Sequence, residues 1–179
     1  MSMTADIPRI QMEPSPWVRR FADLIPEGGV VLDVACGAGR HARYLLSLGY
    51  RVVLVDRDIT AVADLAADEH VELIACDLED GRTWPLADRA FEGIVVTNYL
   101  HRPLMRHLVG AVAKGGALIY ETFADGNQAF GHPRNPDFLL QREELLIFTR
   151  PELRVVAFED LLITEPRPAA IQHIAAVRE

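Results

Sequence analysis

Three stretches hold the groups whose types and spacing suit chemistry. The first is Val31-Leu32-Asp33-Val34-Ala35-Cys36-Gly37-Ala38-Gly39-Arg40, an apolar run that ends in Gly37-x-Gly39. Glycines there let the backbone approach a ligand with no Cβ in the way, and a helix beginning at Arg40 would present unpaired N–H groups. The second is a pair of carboxylates: Asp56 closes the run Val52–Val55, with Arg57 after it, and Asp77-Leu78 follows the run Leu73–Cys76. The third, Thr97-Asn98-Tyr99-Leu100-His101-Arg102-Pro103, gathers an amide, a phenol, an imidazole and a guanidinium. His101 has the chemistry of a general base, with Tyr99 beside it, and Arg102 suits either an anionic ligand or a local acid. Arg134, inside the stretch 124–141, suits a carboxylate or oxyanion as well as it suits a solvated surface position. No His, Cys or carboxylate spacing matches a metal-ligand set, so no metal is expected, and no Ser/His/Asp arrangement stands out. Cys36 and Cys76 read first as small buried fillers.

These groups can act together only if regular elements bring them to one place. Ser15-Pro16 is a helix start, a capping hydroxyl followed by a proline at the first turn. Trp17, Phe21, Leu24 and Ile25 follow at helical spacing, and Pro26 ends the helix. Short apolar runs then alternate with helical patterns: Val30–Val34, a helix over Arg40–Leu48 closed by Gly49, Val52–Val55, a helical stretch Ile59–Ala67, Val71–Ala75, Gly93–Thr97, a helix opened by Pro103, and Ala117–Tyr120 after Gly115-Gly116. Continuous apolar runs are what strands buried on both faces look like, and alternation with helices implies right-handed crossovers and a parallel sheet. Residues Arg154–Phe158, extending toward Ile163, and Ala170–Val177 are separated only by Glu165-Pro166-Arg167-Pro168. No helix fits in that gap, so the last two strands must be an antiparallel hairpin at a sheet edge. The fold class is therefore α/β, an open sheet with a mixed edge. The long segment Ala124–Gln141 is expected to be a structureless loop leaving the fifth strand, placed to cover the ligand as a lid.

Composition limits what such a site can serve. The chain has 179 residues, half of them hydrophobic, with 18 basic and 26 acidic side chains and a formal charge of −8. That length suits one domain, residues 15–179, preceded by a polar, proline-punctuated arm over 1–14. Fifteen acids face nine arginines in residues 1–90, only one lysine (Lys114) is present, and no basic run occurs, which argues against a nucleic-acid partner. No stretch reaches the roughly 18–20 apolar residues of a membrane span, and Asp6 and Glu13 stand where a secretory signal would be basic and apolar. Two cysteines make no disulfide framework, so a reducing cytoplasm is the expected setting.

In a doubly wound sheet, ligands sit outside the carboxyl ends of strands where the strand order reverses. An acid after the second strand suits the paired hydroxyls of a ribose. Gly37-x-Gly39-x-x-Ala42 also satisfies the dinucleotide fingerprint, so NAD competes. Against it stand Asp33, whose charge gains a pyrophosphate nothing, the short remaining chain, and a carboxylate ring better suited to a cationic ligand.

Asp33-Val34-Ala35-Cys36-Gly37-Ala38-Gly39 resembles the first motif of class I S-adenosylmethionine-dependent methyltransferases. The resemblance continues through Asp56, Cys76-Asp77-Leu78, Phe91–Val96 and Lys114–Leu118, covering about residues 15–123. Gly39-Arg40-His41-Ala42-Arg43-Tyr44-Leu45 is similar to tellurite-resistance-type and related small-molecule enzymes of that class. The resemblance implies a Rossmann-like doubly wound sheet of strand order 3-2-1-4-5-7-6 with an antiparallel last strand. It also implies a cofactor half over about 15–100 and a substrate and lid half over about 101–179. S-adenosyl-L-methionine would lie with its methionine part against Cys36, Gly37 and Gly39, its amino group held with the help of Asp33. Asp56, next to Arg57, would take the ribose hydroxyls, Asp77 the adenine amino group and the Leu78 N–H its ring, and Asn98 would lie near the sulfonium. The Asn/Asp-Pro-Pro-aromatic signature of enzymes methylating planar amino groups is absent after the fourth strand, which favours a small-molecule acceptor met by Tyr99, His101, Arg102 and Arg134. Alternatives are an RNA- or protein-directed methyltransferase and a non-catalytic cofactor-binding subunit, as a monomer or a homodimer.

Overall fold

The computed structural model describes residues 13–179, so most of the expected arm over 1–14 lies outside the described residues. Seven strands form one sheet in the order β3-β2-β1-β4-β5-β7-β6. The strands are β1 (Val30–Val34), β2 (Arg51–Asp56), β3 (Val71–Ala75), β4 (Phe91–Thr97), β5 (Val112–Phe123), β6 (Arg154–Ile163) and β7 (Ala169–Val177). β1 to β5 run parallel, whereas β7 is antiparallel to both β5 and β6, as the short 164–168 connection requires.

Helices cover both faces. α1 (Pro16–Phe21) starts where Ser15 Oγ accepts the Trp17 N–H at 3.1 Å. With α2 (Arg40–Ser47) it packs on one face, where Trp17, Phe21, Leu45, Leu54, Val62 and Ile119 share a core. α3 (Arg102–Gly110) and α4 (Glu144–Thr149) cover the other, over Leu32, Phe91, Leu104, Leu108, Leu118 and Ile174. Strands buried on both faces need apolar residues at every position, which is why the central runs carry no alternation.

Three expectations are corrected. The stretch Thr60–Ala67 is a 3₁₀ segment, and β5 begins at Val112, five residues before Ala117. The strand continues past the double glycine because Gly115 adopts φ +77° while its N–H reaches Arg178 O at 2.7 Å. The segment 124–141 is not structureless. Its base is closed by the Asp125 N–H to Leu140 O (2.8 Å) and the Leu140 N–H to Phe123 O (2.9 Å), and Asn127 beneath it is 1% exposed. α4, just after it, has no counterpart in the sequence reading. Cys36 and Cys76 follow β1 and β3, strands separated by β2, and both are free thiols.

Candidate functional site

The carboxyl ends of β1, β2 and β3 open into a crevice of about 380 Å³. Asp56 and Arg57 from the end of β2, Asp77 and Leu78 from the end of β3, and Tyr99 from beyond β4 all line it, with Ala35 at its base. Another depression, of about 460 Å³, lies near Leu24, Leu48 and Tyr50, away from every strand's carboxyl end. The smaller crevice is therefore the candidate site, because it alone of the two gathers the strand-end carboxylates.

The turn after β1 is built from left-handed backbone: Ala35 (φ +53°), Gly37 (φ +54°) and Gly39 (φ +72°). For Ala35 that conformation costs about 1–2 kcal/mol, a strain held where the backbone borders the crevice. The two glycines serve different ends. A Cβ on Gly37 would meet nothing within 4 Å, so this residue borders open space. A Cβ on Gly39 would stand 2.6 Å from Val62 Cγ1 in the core, so Gly39 is required by packing beneath α2, where it is also the N-cap, rather than by ligand approach. Asp56 fixes the turn: its Oδ2 accepts the Gly37 N–H at 2.9 Å and its Oδ1 the Asp58 N–H at 3.1 Å. Asp77 Oδ1 accepts the Glu79 N–H at 2.9 Å, arranging the chain that edges the crevice.

Below the turn, Asp33 is 2% exposed, and Oδ2 has no hydrogen-bond partner. Burial pushes its carboxyl up to about 7; the Ala42 N–H and Arg40 oppose that rise and Asp56 adds to it. Burial likewise pushes the Cys36 thiol up to about 12, so Cys36 is not a nucleophile. The Tyr99 phenol is raised by burial and by Glu79, which removes it as a base near neutral pH. Asn98 takes a left-handed conformation (φ +54°), with its N–H donated to Glu121 O at 3.0 Å. His101 occupies the N-cap position of α3 half-buried, and its imidazole makes no capping hydrogen bond.

Arg102 is where the structure departs from the substrate-binding assignment. Its Nε donates to Glu144 Oε1 (2.7 Å), its Nη2 to Glu144 Oε2 (2.9 Å) and Leu139 O (2.8 Å), and its Nη1 to Asp137 O (2.8 Å). The guanidinium is a clasp joining α3 to α4 and to the end of the 124–141 segment. Arg134 is exposed on that segment. Glu79 and Cys76 also line the crevice, beyond the Asp77 and Leu78 expected from the sequence. Their neighbourhood to Asp77 was the available signal. Among the described residues, no group of three or more His, Cys, Asp or Glu is placed to hold a metal ion.

Residues 31–116 match the family described as "Methyltransferase domain". A tRNA U34 carboxymethyltransferase of Methylococcus capsulatus is 31% identical over 126 residues, 63% of this chain but 38% of that protein, so the chain spans well under half of that relative's length. Among solved structures, TehB from Haemophilus influenzae superposes with a TM-score of 0.69 at 18% identity, covering 88% of this chain and 60% of that one. The 1,6-didemethyltoxoflavin-N1-methyltransferase of Burkholderia thailandensis, solved with S-adenosylhomocysteine, gives 0.68 at 19% identity, with 91% and 76% covered. Residues 31–116, just under half of the chain, thus match a methyltransferase-domain family, and the sheet around them has the fold seen in those two methyltransferase structures.

Proposed function

We propose that the chain transfers a methyl group from S-adenosyl-L-methionine to a small-molecule acceptor by in-line displacement. The observation that carries this is the crevice itself, which the turn after β1 enters at Ala35 and which Asp56, Asp77 and Glu79 line, with Gly37 of the same turn bordering open space. The residues fit that cofactor. Three acids against Arg57 favour a cation, and Asp33 holds a bare buried oxygen beneath the turn. When bound, the cofactor supplies an already activated methyl on a sulfonium, so positioning and exclusion of water suffice unless the acceptor must lose a proton.

In this reading the backbone of Cys36 and Gly37 lies along the methionine part, with Gly39 shaping the turn. Asp56 takes the ribose hydroxyls, Asp77 and the Leu78 N–H the adenine, and the left-handed turn at Asn98 sets the wall near the sulfonium. His101 is the candidate base and Tyr99 a hydrogen-bond donor; Arg134 is the arginine left to meet an acceptor. Residues 15–179 act as one domain, as a monomer or homodimer, and no described helix is long and apolar enough to cross a membrane. Two free cysteines favour a cytoplasmic setting.

The relative acting on tRNA favours a second reading, an RNA acceptor. Against it, the chain carries a formal charge of −8, and Arg19, Arg20, Arg43, Arg82, Arg89, Arg102, Arg154 and Arg178 each pair with an acid, which weakens their pull on phosphates. Incubation with a methyl-labelled donor, total tRNA and a metabolite extract separates the two. Label in the low-molecular-weight fraction is expected, and label confined to tRNA would reverse the assignment. Failure of S-adenosylhomocysteine to bind in calorimetry would remove both readings.

A further inference from the structure

The backbone leaving β4 is held at two successive residues, both times from β5. The Asn98 N–H reaches Glu121 O at 3.0 Å, which continues the β4–β5 ladder past the pair Thr97 and Glu121. One residue on, the Tyr99 carbonyl accepts the Tyr120 hydroxyl at 2.9 Å. Between the two bonds Asn98 takes left-handed backbone (φ +54°), which L side chains disfavour and which the surroundings must therefore hold. The first bond is ordinary sheet geometry. The second is not: a core phenol, 2% exposed, gives its only proton to the backbone of a residue that lines the crevice.

That proton had a rival acceptor. Arg102 and Glu144 are the charged groups beside the phenol. Both Glu144 oxygens are already engaged, Oε1 by Arg102 Nε, and Oε2 by Arg102 Nη2 and by the Gln141 N–H at 2.7 Å. Burial pushes the phenol above its usual range, so it remains a donor at neutral pH. The clasp between α3 and α4 thus leaves Tyr99 O as the hydroxyl's partner. A phenylalanine would fill nearly the same volume without supplying that bond.

We propose that Tyr120 is a positioning residue for the methyl-donor crevice: its hydroxyl fixes the Asn98–Tyr99 wall in the shape that receives the cofactor, without touching the ligand itself. This rests on the methyl-donor reading of the crevice and adds to it a residue from within β5, where the strand-end pattern does not point.

The test compares two deletions of the same atom. Tyr50 is also a buried phenol, with its hydroxyl 3.1 Å from both Ala22 O and Ile25 O, beside the other depression and away from the crevice. Tyr120→Phe and Tyr50→Phe should each lower the thermal midpoint. At a temperature where both variants are folded, Tyr120→Phe should weaken S-adenosylhomocysteine by about three- to tenfold in calorimetry, the factor that one lost hydrogen bond carries. Tyr50→Phe should bind as the parent does. In the parent itself, S-adenosylhomocysteine should slow exchange of the Tyr120 hydroxyl proton followed by NMR, because a ligand seated on the wall suppresses its local opening. Unchanged affinity in Tyr120→Phe, equal loss of affinity in the two variants, or hydroxyl exchange indifferent to S-adenosylhomocysteine overturns the proposal alone. Absence of any S-adenosylhomocysteine binding by the parent overturns the methyl-donor reading beneath it.

Discussion

Replacing Gly39 by alanine should damage the fold, whereas the same change at Gly37 should damage binding. At Gly39 two costs add. The left-handed backbone (φ +72°) penalises a Cβ by about 1–2 kcal/mol, and overpacking adds about 1–3 kcal/mol, because the new carbon would stand 2.6 Å from Val62 Cγ1 in a fully buried position. Gly39→Ala should therefore lose about 2–5 kcal/mol in urea unfolding followed by Trp17 fluorescence. Gly37→Ala pays only the backbone part, about 1–2 kcal/mol, since nothing lies within 4 Å of its Cβ. That Cβ would instead stand in the open space where the methionine part is proposed to lie, and should weaken S-adenosylhomocysteine in calorimetry. Val62→Ala supplies the decisive control by removing the opposing methyl group. In the double variant with Gly39→Ala, the losses should fall short of additivity by about 1–3 kcal/mol. Strict additivity within about 0.5 kcal/mol, or equal stabilities for Gly37→Ala and Gly39→Ala, would refute the division of labour between the two glycines.

The remaining expectations concern charge. Asp56→Ala removes the acceptor of the Gly37 and Asp58 N–H groups and should weaken S-adenosylhomocysteine by about 1.5–3 kcal/mol, the range for hydrogen bonds to a charged group; unchanged calorimetric affinity would show the ribose to be misplaced. Arg102→Ala strands the Glu144 carboxylate, whose side chain is only 11% exposed, and should cost about 2 kcal/mol after allowance for the 33% exposure of Arg102 itself. Adding Glu144→Gln should recover part of it, and no recovery in thermal melts would deny the clasp. Between about pH 4 and 6.5, two buried groups pull stability in opposite directions. His41, held down to about 3, contributes stability present above its unfolded value of 6.5 and lost as pH falls. Asp33, raised to about 7 from 3.8, contributes stability present at low pH and lost as pH rises. Asp33→Asn should thus make unfolding free energy climb with pH more steeply than in the parent, by up to about 1.4 kcal/mol per pH unit. Parallel curves for the two proteins would contradict the assigned protonation.

The parts of the fold legible in the sequence are those where a local pattern had one outcome. Val52–Val55 and Ile94–Val96 can be buried on both faces only inside a parallel sheet, and the 164–168 gap admits only a hairpin. α4 escaped because its six residues follow Glu143, a left-handed N-cap with no capping side-chain hydrogen bond, and so carry no start signal. Within the site, Asp56 and Asp77 were legible from their place at strand ends. The fate of Arg102 was not, because Glu144 lies 42 residues away and only tertiary packing joins them. Nor does a glycine in the sequence disclose whether its missing side chain makes room for a guest or for Val62.

The placement of β7 between β5 and β6 orders the events of synthesis. When Arg154–Ile163 leaves the ribosome, the strand it will eventually join does not yet exist, and β5 still presents an open row of amides and carbonyls. Both gaps close together once Ala169–Val177 arrives, so one late segment zips the sheet from its inside. Nascent chains paused after Ile163 should therefore be the species most exposed to chaperones and to wrong pairing, with the β1 to β4 half of the sheet complete and the other half waiting.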